Sequence, residues 1–206
     1  MKAIQSAAVA LLLLLSGNTF AAYAVYVFES GGNVVASGSG RMNMAALTPA
    51  GNGPLFSVVI PSAALIFTGT AGTVEAYMGV SGPPMLGAGG PVLADTSSGD
   101  MVGLDGMMAP GFVFAPLGYV SGSALASSAT WTGTSLASLG LTPGSYTWTW
   151  GAGPTADSFT VHVGIAPPAA PASIPTLSEW GLAILSALMA GWAMRHRLPR
   201  RRNKAA

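Results

Sequence analysis

Hydrophobic and polar positions alternate with a period of two in several short segments between residues 24 and 163. The clearest is 33–44, where apolar residues and glycines share one face and polar residues share the other. The apolar positions are Val34, Ala36, Met42 and Met44, and the polar ones are Asn33, Ser37, Ser39, Arg41 and Asn43. Such a period predicts a strand with one buried face. Together with the run 24–29 and two intervening glycines, this strand predicts a hairpin. The turn has either two or three residues, and its length decides on which face of the sheet Glu29 lies.

Further strand-like runs follow the first hairpin. They lie at 55–60, 64–68, 73–80, 112–120, 129–134, 146–150 and 158–163. The segment 81–111 is rich in glycine and proline and is predicted as loops with short edges. About eight or nine short strands with frequent turn signals predict a mainly β fold. We expect a single antiparallel β-sandwich ectodomain over residues 25–164, with its sheets packed face to face.

The last predicted hairpin carries a row of aromatic residues. Tyr146, Trp148 and Trp150 share one face of the first arm, and Phe159 returns beside them on the second. Such a row can be a sugar-stacking platform or part of the core. The core is favoured, because Phe159 and the valines of the second arm share its face.

The two ends of the chain differ from this β pattern. Lys2, the apolar run 7–15 and the small residues after it predict a signal peptide helix over 1–24. The leader can be cleaved after Ala21, Ala22 or Ala24. Near the other end, the prolines of 165–173 predict an extended spacer.

An apolar run of 18 residues, 177–194, follows the spacer and contains one ionisable residue, Glu179. As a helix it is about 27 Å long, enough to cross the hydrocarbon layer. A basic cluster follows it directly. Its members are Arg195, Arg197, Arg200, Arg201, Arg202 and Lys204. This order predicts a C-terminal transmembrane helix whose basic end stays in the cytoplasm, with everything before Ile174 outside.

Composition narrows the chemistry of the exported part. The chain has no cysteine, which excludes disulfides and thiolate sites. Arg41 is the one basic residue between the leader and the tail, against several carboxylates. A nucleic-acid partner, which requires a basic surface, is therefore excluded.

Few residues of the ectodomain could carry a reaction or hold a metal. Ser158 lies about 13 Å along the strand from His162, too far for a nucleophile and its base. Asp95, Asp100 and Asp105 recur every five residues and could form a loose Ca²⁺ site. Solvated turn aspartates are the favoured interpretation. We predict no catalytic residue, metal or cofactor.

The tail also has a specific resemblance. It combines the span and basic cluster with the motif Ile174, Pro175, Thr176, Leu177, Ser178, Glu179, Trp180 and Gly181. This arrangement resembles the C-terminal sorting signal of the IPTL-CTERM family, which is similar to the PEP-CTERM system. The resemblance implies recognition by an exosortase-type membrane enzyme that cuts near the motif. The segments 30–40 and 139–151 more loosely resemble exported PEP-CTERM-type proteins of unassigned role, which implies no activity.

These observations predict an exported cell-envelope protein, sorted through the signal at 174–204 and anchored in the inner membrane. After processing it would reach the cell surface or the medium. We expect a non-catalytic structural or matrix ectodomain, with the membrane, an exosortase-type enzyme and an extracellular polysaccharide matrix as partners. The alternative is a glycan- or Ca²⁺-binding module, and a secreted hydrolase is the third interpretation.

Overall fold

A computed structural model describes residues 22–168, 186–189 and 192 of the chain. The chain divides into two compact units, Met1–Pro167 and Pro168–Ala206. The predicted leader, up to residue 21, and most of the predicted tail lie outside the described residues.

The described part of the first unit is mainly β, as predicted. Its strands are β1 (Ala22–Ser30), β2 (Asn33–Arg41), β3 (Thr48–Leu55), β4 (Val58–Ile60), β5 (Leu65–Thr68), β6 (Gly72–Val80), β7 (Val92–Leu93), β8 (Thr96–Gly99), β9 (Val102–Asp105), β10 (Gly111–Pro116), β11 (Ala124–Trp131), β12 (Gly144–Trp150) and β13 (Asp157–Val163). Short 3₁₀ turns occupy Pro61–Ala63 and Gly153–Thr155. β3 was not predicted, because its prolines and glycines hide the strand pattern.

The strands form two sheets. The first has the order β12-β13-β1-β2-β11-β8, and the second has the order β3-β6-β10-β9-β5-β4-β7. The expectation of a purely antiparallel arrangement is wrong for one pair, since β1 runs parallel to β13 from Ala22 opposite Ser158 to Val27 opposite Val163. These strands are the first and last of the unit, so no hairpin joins them and no local sequence pattern could reveal their pairing.

The predicted hairpin of β1 and β2 is confirmed, and its turn has two residues. Ser30 pairs with Asn33, and Gly31 and Gly32 both adopt positive φ, at 59° and 79°. Two successive positive φ angles suit glycine and match the twist of a tight hairpin. Glu29 then lies opposite Val34, and its carboxylate accepts a 2.8 Å hydrogen bond from the Leu136 N–H.

One cluster of buried side chains draws on both sheets. It includes Val25 and Trp131 from the first sheet and Leu104 and Val113 from the second. A buried chain of hydroxyl groups also joins the sheets. Tyr23 and Ser127 of the first sheet are 2.6 Å apart at their oxygens, and Thr68 of the second lies 2.6 Å from Ser127.

Candidate functional site

The aromatic row on β12 belongs to the core. Trp148 and Trp150 expose 1% and 4% of their surface, so neither offers a ring face to a ligand. Their indole N–H groups donate to the carbonyls of Pro83 at 3.1 Å and Asn43 at 2.7 Å. A buried indole whose N–H is satisfied by main chain fills volume and fixes neighbouring loops. The core interpretation of this row therefore fits the structure, and a sugar-stacking platform does not.

The three aspartates of the predicted loop do different structural tasks. Asp95 accepts from the N–H and hydroxyl of Thr132, at 2.7 and 2.8 Å, and Asp100 accepts from the Ala126 N–H at 2.9 Å. The hydrogen bonds from Thr132 lower the pKa of Asp95. These two acids flank β8, and they tie its ends to Ala126 of β11 and to Thr132 directly after β11. Asp105 accepts from the N–H two residues further on, as turn aspartates do.

The acids do not converge on a common point. In the described part of the chain, no three acidic or histidine side chains come together as metal ligands. The local hydrogen bonds of these aspartates instead account for their positions in the turns and strand ends.

His162 has a partner that the sequence reasoning missed. Ser145 lies opposite it on β12, and the Ser145 Oγ is 2.8 Å from Nδ1 of His162. The imidazole stacks on Tyr26 of β1, with ring centroids 4.7 Å apart at 23°. Ser158, the serine considered from sequence, faces Thr149 instead. Ser145 could be identified as the partner of His162 only from the pairing register of β12 and β13. That register depends on the exact turn between the two strands.

The Ser145–His162 pair supplies two of the groups that a serine hydrolase uses, a serine hydroxyl and a histidine side chain beside it. A serine activated by histidine also requires a group that orients the base and donors for the developing oxyanion. Among the described residues, no carboxylate hydrogen-bonds to His162. The pair is instead one end of a row of polar side chains that crosses the first sheet.

This row contains one residue from each of the six strands. In order it is Ser145, His162, Tyr26, Ser37, Ser128 and Ser98. The neighbouring outward positions extend it into a surface that we call the hydroxyl face. Its serines and threonines are Ser37, Ser39, Thr96, Ser98, Ser128, Thr130, Ser145, Thr147, Thr149, Ser158 and Thr160. Some are paired across strands, as are Thr147 with Thr160 at 3.1 Å and Ser98 with Ser128 at 2.8 Å.

A buried carboxylate holds the segment that follows β2. Asp157 accepts hydrogen bonds from the N–H groups of Asn43 and Ser158 and exposes 6% of its surface. Burial raises the pKa of Asp157 to about 6. Tyr119 supports the same segment, since its hydroxyl accepts from the Met42 N–H at 3.0 Å. Asp157 is thus a packing and hydrogen-bonding residue on the inner side of its sheet.

A shallow groove of about 270 Å³ lies on the second sheet. It is lined by Ala50, Gly51, Asn52, Gly53, Leu55, Val74, Ala76 and Phe114. Its lining contains no titratable or nucleophilic side chain, so it offers packing but no acid–base chemistry.

The predicted sorting residues lie outside the described residues. This holds for the motif from Ile174 to Gly181 and for the basic cluster from Arg195 to Lys204. Of the second unit, Pro168, 186–189 and 192 are described, and 186–189 and 192 are helical. No helix among the described residues is long and apolar enough to cross a membrane.

Comparison with known proteins bears on this tail. No curated protein and no solved structure matches the chain. A family match covers residues 172–203 and is described as the IPTL-CTERM motif. It spans the whole predicted motif, the predicted helix and most of the basic cluster, so the resemblance inferred from sequence is confirmed. The chain carries an IPTL-CTERM motif, a C-terminal sorting signal, at residues 172–203, C-terminal to its β unit.

Proposed function

We propose that this chain is an exported, membrane-tethered cell-envelope protein that an exosortase-type enzyme processes at its IPTL-CTERM signal. The leader over 1–24 directs export. The segment 177–194 then anchors the chain in the inner membrane, and Arg195 to Lys204 hold its end in the cytoplasm. Cleavage near Ile174–Leu177 transfers the ectodomain to the cell surface or releases it.

The observation that carries this proposal is the position of the motif match. It begins at residue 172, after the compact unit that ends at Pro167, so the signal and the β unit are separate in sequence. A processing enzyme at the membrane could then cut at the motif without cutting within the β unit. The described residues of the predicted span, 186–189 and 192, are helical, which is compatible with an anchoring helix.

We further propose that the ectodomain is a β-sandwich with a structural or matrix role and no catalysis. The shared buried cluster of the two sheets supports the sandwich. The burial of Trp148 and Trp150 supports a structural role for the aromatic row. The three loop aspartates are engaged with local N–H groups, which argues against a Ca²⁺ site there.

Substitution within the motif tests the sorting proposal. Pro175 lacks an N–H and pushes Ile174 away from helical angles, which keeps the motif extended for an enzyme. In the native host, Pro175→Ala with Thr176→Ala should therefore block trimming but not membrane insertion. An uncut, membrane-bound form would accumulate on immunoblots of membrane fractions.

The matched control replaces two spacer residues, Pro167→Ala with Pro168→Ala, and should be trimmed normally. Normal trimming of the motif variant would contradict the proposal, and the tail would then act as an anchor alone.

A further inference from the structure

We propose that the hydroxyl face of the first sheet binds a neutral polysaccharide. The idea rests on the proposed function insofar as export brings this face to the cell exterior, where such polymers occur. Binding itself is independent of how the chain is sorted.

The hydroxyl face carries almost no charge, which disfavours charged partners. Among the outward positions of the six strands, Arg41 at the end of β2 is the one Asp, Glu, Lys or Arg residue. The carboxylates that flank β8 at the sheet edge, Asp95 and Asp100, accept hydrogen bonds from Thr132 and Ala126. A polyanion would find almost no cation here, and a cationic partner would find no carboxylate on the face. Charge complementarity therefore favours an uncharged polymer.

The hydroxyl groups are spaced as a repeating array. Neighbouring strands are about 4.8 Å apart, and alternate residues on one face recur about every 6.6 Å along a strand. Each hydroxyl can donate one hydrogen bond and accept two, as sugar hydroxyls can. The cross-strand pairs, such as Thr147 with Thr160, fix some of these groups in place. An extended polymer with repeated hydroxyls can thus make many weak hydrogen bonds at once, with little loss of freedom in the protein.

The middle of the face also offers an apolar contact. The stacked rings of Tyr26 and His162 lie half-buried in the central row. Ala24 and Ala126, beside them on the next row, are small and keep the surface open. The exposed part of this stacked pair supplies an apolar contact for C–H groups of a sugar, while the surrounding hydroxyls bind its edges. This combination differs from the buried row of Trp148 and Trp150, which is inaccessible.

The experiment uses the full chain purified in a mild detergent and gel electrophoresis with polysaccharide in the gel. The probes are three neutral glucans, with β-1,4, β-1,3 and α-1,6 linkages, and one polyanion, alginate. Wild type should be retarded by at least one neutral glucan and not by alginate. Binding to none of the neutral glucans, or stronger binding to alginate, would overturn the proposal.

Two pairs of substitutions locate the binding. Ser39→Glu with Thr147→Glu places carboxylates on the hydroxyl face, whereas Thr48→Glu with Asn52→Glu places them on β3 of the other sheet. The first pair should weaken binding at least about tenfold, because an unpaired charge would be desolvated against the polymer. The second pair should bind as wild type, and matching circular dichroism spectra would show that both fold. Equal binding by the two pairs would refute the face as the site, whatever the result of the sorting test.

Discussion

Gly38 makes room for the hydroxyl chain that joins the two sheets, which gives a sharp test of the core. A Cβ at Gly38 would lie 2.5 Å from the Tyr23 hydroxyl oxygen and 2.7 Å from the Ser127 hydroxyl oxygen. Both distances are about 1 Å shorter than a van der Waals contact. Tyr23 and Ser127 are buried, so neither can move into solvent. Gly38→Ala must therefore displace one of them.

The expected loss of stability follows from two effects. Forcing an extra methyl into a packed core costs typically about 1–3 kcal/mol. Breaking the Tyr23–Ser127–Thr68 chain leaves a buried hydroxyl unpaired, at a further cost of about 1–3 kcal/mol. Replacing a strand glycine by alanine recovers about 0.5–1 kcal/mol. We expect a net loss of about 3 kcal/mol, a large share of the roughly 5–15 kcal/mol that stabilises a typical domain.

Urea unfolding of the fragment 22–167 measures this loss as a lower midpoint with an unchanged slope. The control is Gly53→Ala on β3, where a Cβ would meet no atom within 4 Å, and we expect no significant change there. Tyr23→Phe combined with Gly38→Ala should recover part of the loss, because it removes the closest oxygen. A Gly38→Ala midpoint equal to wild type would refute the rigid inter-sheet contact.

Three further outcomes are expected of the same fragment. Burial raises the pKa of Asp157 to about 6, so the native state binds a proton more tightly than the unfolded chain does. The free energy of unfolding should therefore fall as pH rises from about 4 to 6. Asp157→Asn should remove that pH dependence, as measured by urea titrations at several pH values. An unchanged dependence would show that another titrating group causes it. Trp148→Phe should cost about 2–3 kcal/mol in urea unfolding, through lost volume and the unpaired Pro83 carbonyl, and a neutral result would contradict its core role. Millimolar Ca²⁺ should leave the melting temperature unchanged, and a clear rise would revive the Asp95–Asp105 loop as a site.

Local sequence patterns predicted the hairpin of β1 and β2 because neighbouring strands and two glycines carry the whole signal. They did not predict β3, in which Pro49, Gly51 and Pro54 interrupt the pattern. In the run 73–80, a strict period of two would place Val80 on the face of Met78. In the structure a register shift opposite the Gly111–Phe112 step separates them, leaving Val80 buried and Met78 36% exposed. A bulge of this kind depends on the partner strand and is invisible in one segment.

The candidate sites also differ in whether their residues are consecutive in the sequence or are brought together by strand pairing. The sorting signal could be predicted because its motif, predicted span and basic cluster are consecutive in the sequence. The Ser145–His162–Tyr26 contacts join three strands, two of them from opposite ends of the unit, and required the parallel pairing of β1 with β13. The hydroxyl face depends on the same register. Its serines and threonines are unremarkable in the sequence and become a surface only when six strands align.

Export of the chain and its cleavage at the IPTL-CTERM signal leave defined ends on the mature protein. Mass spectrometry of both termini of the protein recovered from its native host tests this most directly. We predict a start between Ala22 and Val25, after removal of the leader, and an end close to Ile174–Leu177 without the basic cluster. A recovered chain that begins at Met1 would contradict removal of the leader, and one that extends intact to Ala206 at the cell surface would contradict cleavage at the signal.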